Sequence, residues 1–128
     1  MDKTFDMHER LLRAVYPANR RPDFWKDGKL SSAALKDKKG LSVTRTYDRP
    51  LKDAVLWMAQ HFQGTIVSIS VASCSAVQAC VKYRPSQSNP YHSEIHGSET
   101  QVELSDLQAL MLARQATLEY IPNSEYMI

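Results

Sequence analysis

Apolar and polar positions alternate over residues 67–71 of the strand at 65–71, with Val67, Ile69 and Val71 on one side and Ser68 and Ser70 on the other. A period of two marks a strand, and this one is the clearest in the chain and is expected to be central. The same reading gives strands at 11–16, stopped by Pro17, and at 41–46, entered through the Lys38-Lys39-Gly40 turn with Leu41, Val43 and Arg45 on one side. Further strands fall at 80–83, 91–96 and 117–121, the last stopped by Pro122. Helical spacing appears twice. Leu51, Val55, Met58, Ala59 and Phe62 predict a helix over 48–62, with Pro50 in its first turn, Gln63-Gly64 at its end and His61 beside the stripe as a solvated or capping residue. Ser105 as N-cap, Gln108 as its capping-box partner and Leu104 stapled against Ala109 start a second helix that runs to about Ala116. Residues 73–79 are small and fit either a helical turn or a continued strand.

This order predicts one α+β domain over 1–128, a mixed sheet of five to six strands with two packed helices, with 1–9 and 122–128 as peripheral tails. Residues 18–29 read as a loop in which Phe24-Trp25 anchors to the body of the domain. The chain has 128 residues, 43% of them hydrophobic, enough for one core. No apolar run reaches the roughly 18 residues that span a bilayer, and the first residues lack the order of a signal peptide, so a cytoplasmic location and no membrane are expected. Cys74 and Cys80 suit small buried side chains in a reducing compartment, and their spacing makes no zinc site.

Charge changes the picture. Residues 20–52 hold ten Lys or Arg against four acids, whereas residues 53–128 hold three against seven. Such an asymmetry steers a phosphate-bearing ligand if the cations converge on one surface. The cationic and hydroxyl candidates are Arg13 on the first strand, Ser31 and Ser32, Lys36, Lys38 and Arg45.

The densest chemistry lies in Tyr91-His92-Ser93-Glu94-Ile95-His96. On a strand, His92, Glu94 and His96 share one face. A rise of about 3.3 Å per residue spreads them over roughly 13 Å, too far for one ion to accept all three, so neither a metal nor another cofactor is expected. Three functions fit these residues. In metal-independent phosphodiester cleavage of RNA or a cyclic nucleotide, His92 or His96 exchanges protons, Glu94 fixes a tautomer or acts as base, and the cations hold the phosphate. In a non-enzymatic module, the same residues bind a nucleotide, RNA, a protein or a second copy of the chain. In ADP-ribosyl transfer, Arg13, Ser31 or Ser32, and Glu94 or Glu103 act on a nicotinamide dinucleotide.

Four segments, Leu12-Arg13-Ala14-Val15 with Pro17, Leu30-Ser31-Ser32-Ala33-Ala34-Leu35-Lys36-Asp37, Gly40-Leu41-Ser42-Val43 and Asn89-Pro90-Tyr91-His92-Ser93-Glu94-Ile95-His96, carry a resemblance. Over residues 11–120 the pattern resembles a family of small bacterial proteins to which no activity is assigned. The resemblance implies that the basic loop, the Ser-Ser-Ala-Ala segment and the His strand belong to one design.

Overall fold

Leu11 and Leu12 are neighbours in sequence and both are fully buried, which a strand achieves only when both faces of its sheet are covered. A computed structural model, which describes residues 1–122, supplies the cover. The chain runs through β1 (Arg10–Val15), a ribbon of β2 (Trp25–Lys26) and β3 (Lys29–Leu30), β4 (Leu41–Arg45), α1 (Leu51–His61), β5 (Thr65–Ser70), α2 (Val71–Ala76), β6 (Cys80–Tyr83), β7 (His92–His96), α3 (Asp106–Gln115) and β8 (Thr117–Tyr120). Six strands form one sheet in the order β6-β7-β4-β1-β5-β8. The expected α+β domain is present.

Every pairing in the sheet is antiparallel. The strands joined through α1, β4 and β5, run in the same direction, but β1 lies between them, so no parallel pair forms. The alternation of β1 then sorts the core into two. Leu12 packs with Ile66 and with Ala54, Val55 and Met58 of α1, while Leu11 packs with Leu41, Ile69, Ile95 and Leu112 beneath α2 and α3. The buried stripe of α1 is rotated from the one read in the sequence, since Leu51 and Phe62 are largely exposed and Ala54 takes a buried place.

Local chemistry explains the starts of two helices. Ser105 accepts from the Gln108 N–H at 3.1 Å and Gln108 accepts from the Ser105 N–H at 2.9 Å, closing the capping box as read. Ser70 caps α2 by accepting from the Ser73 N–H, so the ambiguous segment is a helix and Val71 belongs to it. β5 is interior but one place from the edge, not central. The segment read as a loop contains the β2–β3 ribbon, whose Asp27-Gly28 turn has φ of +52° and +76°, the double positive φ of a tight hairpin. Trp25 is anchored as expected, its Nε1–H donating to the Tyr16 carbonyl at 2.8 Å and its ring packing near Val15, Ala34 and Val67. No helix among the described residues is long and apolar enough to cross a membrane. Residues 123–128 of the expected C-terminal tail lie outside the described part.

Candidate functional site

β7 presents His92, Glu94 and His96 to the α1 side of the sheet, because Ser93 and Ile95 are buried on the other. The three do not act alike. His96 Nε2 lies 2.8 Å from Glu94 Oε1, and this pair packs over Gly40. His92 instead faces β4, with Nε2 3.2 Å from the Ser42 hydroxyl and Nδ1 2.7 Å from the Arg84 carbonyl. A carbonyl only accepts, so in the neutral ring Nδ1 carries the proton and Nε2 presents its lone pair.

Beside His92 is a cleft of about 300 Å³, walled by Met58 of α1 and Phe62 just after it, Ser42 and Arg13 of the sheet, and Ser86 and Asn89 of the loop before β7. The loop is tied down. Asn89 is buried and donates from Nδ2 to Thr44 Oγ1 at 2.9 Å, while its Oδ1 accepts from the Tyr91 N–H at 3.0 Å. The Arg84 N–H donates to the His92 carbonyl at 3.0 Å, so the residue that orients the imidazole is itself fixed to it.

Arg13 is the one basic candidate in the lining of this cleft, but it stands opposite Val67 and its side chain leaves the sheet on the other face, towards Ala34. β1 and β4 pair only at Leu11↔Arg45 and Leu12↔Thr44, and beyond that point the guanidinium donates from Nη1 to the Ser42 carbonyl at 2.8 Å and from Nε to the Ala34 carbonyl at 3.3 Å. Burial pulls its pKa below the usual value, opposed by the nearby Asp37 carboxylate. Arg13 also lines a second cleft of about 320 Å³ with Arg21, Phe24, Lys36 and Asp37.

The remaining candidates are engaged elsewhere. Lys36 binds the start of α3, donating to the Leu104 carbonyl at 2.6 Å and to Asp106 Oδ1 at 2.9 Å. Ser31 donates to the Asp23 carbonyl, Ser32 opens a single 3-10 turn, and Lys38 is exposed in the turn before β4. Arg45 is 1% exposed and forms a two-pronged pair with Glu9, both contacts 2.8 Å. Arg45 also donates to the carbonyls of Asp2 and Thr4 and sits over the rings of Phe5 and Tyr47. The basic residues therefore do not converge on the His92 face. Neither cleft lined by Arg13 is lined by Ser31, Ser32, Glu94 or Glu103, so the set considered for ADP-ribosyl transfer shares neither of them.

The sequence reading missed Ser42, Asn89 and the Arg84 carbonyl. Ser42 was within a recognised strand, but its partner is set by the β4–β7 register, Ser42↔Glu94 and Thr44↔His92, which no local pattern reports. Among the described residues no group of three His, Cys, Asp or Glu side chains is placed to hold a metal ion. Cys74 and Cys80 are both free thiols; burial pushes the Cys74 thiol up to about 12.

What the fold and site define is an antiparallel α+β domain with an oriented imidazole at the wall of a small cleft. Compared with known proteins, the chain matches no family model, no curated protein and no solved structure.

Proposed function

We propose that the chain is a metal-independent hydrolase of a small phosphodiester, with His92 as its proton-transfer group. The observation that carries this reading is the lone pair of His92 Nε2 at the cleft wall, fixed by the Arg84 carbonyl 2.7 Å from Nδ1. Ser42 and Ser86 add hydroxyl groups to the same wall. The volume, at the lower end of the range of about 300–1,000 Å³ found for ligand clefts, favours a mononucleotide-sized group over a polymer. A track for long RNA would need cations in a row, and Lys36 and Arg45 are committed to internal partners.

The test is hydrolysis of a 2′,3′-cyclic mononucleotide and of bis(p-nitrophenyl) phosphate by the full chain in the presence of chelator. His92→Ala is expected to lower the rate about 10²–10⁴-fold. His96→Ala, which removes a side chain paired with Glu94 and outside the lining, is expected to lower it less than about tenfold. A folded His92→Ala protein with undiminished hydrolysis refutes the reading. If the parent hydrolyses neither substrate but binds a nucleotide that His92→Ala no longer binds, the cleft belongs to a binding module.

A further inference from the structure

Ser42 has the geometry of a nucleophile. Alternation along β4 buries Leu41 and Val43 and turns Ser42 outward to the α1 side, where it is exposed. Across the pair it stands opposite Glu94 and one diagonal step from His92. Its Oγ lies 3.2 Å from His92 Nε2, and the proton on Nδ1, donated to the Arg84 carbonyl, leaves Nε2 to accept from the serine hydroxyl. This polarity matters. With the other tautomer the ring would donate to Ser42 and could not take its proton. A hydroxyl, a base aimed at it and a third group orienting the base make the arrangement that activates a weak nucleophile, with the backbone carbonyl in the place a carboxylate often takes. On the other face of the sheet the Arg13 guanidinium donates to the Ser42 carbonyl and so holds the strand that carries the hydroxyl.

We propose that Ser42 is a covalent nucleophile that accepts a phosphoryl group from the substrate, an inference that rests on the hydrolase reading of the same cleft. In the first step Ser42 Oγ forms a bond to phosphorus and its proton passes to His92 Nε2. The bond from phosphorus to the leaving oxygen breaks, and that oxygen takes the proton from Nε2. In the second step water gives a proton to Nε2 and attacks phosphorus. The Oγ–P bond breaks, and the proton returns to Oγ. No metal or redox partner is required for the balance.

The experiment is intact-protein mass spectrometry of the full chain treated with an alkyl fluorophosphonate, in parallel with bis(p-nitrophenyl) phosphate hydrolysis. One adduct is expected on the parent, localised to Ser42 by peptide mapping, with fluoride as the leaving group. Ser42→Ala is expected to keep the parent's circular dichroism and melting temperature, since the side chain is exposed, and to lose both the adduct and about 10²–10³-fold of the hydrolysis. His92→Ala is expected to keep Ser42 and slow its labelling by a similar factor. An unlabelled parent overturns the nucleophile, whatever its rate of hydrolysis, and leaves Ser42 as a residue that holds His92 in position. Hydrolysis lost in His92→Ala but retained in Ser42→Ala also overturns it while the acid–base reading of the cleft stands. Hydrolysis retained in both variants removes the two together.

Discussion

Arg45 was a natural candidate to hold a phosphate, and its surroundings predict a different role with a measurable size. The guanidinium and the Glu9 carboxylate are 1% and 5% exposed and meet through two contacts of 2.8 Å. Two backbone carbonyls, of Asp2 and Thr4, take further N–H groups, and three rings surround the cation at 4.0 Å (Phe5), 4.7 Å (Tyr47) and 5.3 Å (Tyr83). Arg45→Met leaves the carboxylate buried without its cation and two carbonyls without a donor. Removing one member of such a pair costs about 3–5 kcal/mol. An unfolding entropy of about 2.1 cal/mol/K per residue over this chain converts that loss to a fall of roughly 11–19 °C in melting temperature. Glu9→Gln, which keeps the shape but not the charge, is expected to fall in the lower half of that range. Calorimetry, with urea titration at 25 °C as a second measure, reads both. An Arg45→Met protein that melts within about 3 °C of the parent yet no longer binds nucleotide would refute the structural assignment and return Arg45 to the ligand.

Two further outcomes test the strand that carries the site and the core beneath it. At Gly40, φ is +99° and a β-carbon would stand 2.8 Å from Glu94 Oε1 and 2.9 Å from His96 Nε2. Gly40→Ala is therefore expected to cost about 1–2 kcal/mol from the backbone alone, a fall of about 4–7 °C in thermal melts. A second substitution, Glu94→Ala, is expected to restore only the part due to crowding; an unchanged melting temperature in the single variant would refute the strain. Cys74 keeps its proton in the folded chain up to about 12, whereas an unfolded thiol loses it above 9.0. The stabilisation is present below pH 9 and is lost as pH rises from 9 to about 12, by about 1.4 kcal/mol per pH unit. Urea unfolding at pH 8.5 and 10.5 should therefore show a steeper loss in the parent than in Cys74→Ala. Equal losses would show that the thiol is not held from solvent.

Much of the fold was legible because its signals are local. The capping box at Ser105 and Gln108, the alternation through Leu41 and Val43, and the prolines that end β1 and β8 each act within a few residues. The ribbon at Asp27-Gly28 was equally local and was passed over because its strands are only two residues long, too short to show a period. The basic residues misled for a physical reason. A lysine or arginine in sequence has no stated partner, and Lys36 and Arg45 find theirs 70 and 36 residues away. The shared face of His92, Glu94 and His96 followed from strand periodicity, but their division of labour did not. His96 is held by its own strand neighbour, whereas His92 depends on Ser42, fifty residues earlier.

That dependence makes register the quantity on which the site rests. A slip of one residue between β4 and β7 would turn every side chain of one strand to the opposite face, carrying Ser42 or His92 into the core. The buried side opposes such a slip, because Leu41 faces Ile95 and Val43 faces Ser93, and none of these can be exchanged for the polar residue beside it without desolvating that residue. At the loop end, Asn89 adds a bond to Thr44 that fixes residues 84–91 against β4, and so holds the Arg84 carbonyl where it meets His92 Nδ1. Asn89 and Thr44 line the cleft but are buried, and their side chains are bonded to each other. They hold the loop against β4, while the Arg84 carbonyl, tied to His92 by the Arg84 N–H, sets which imidazole nitrogen carries the proton.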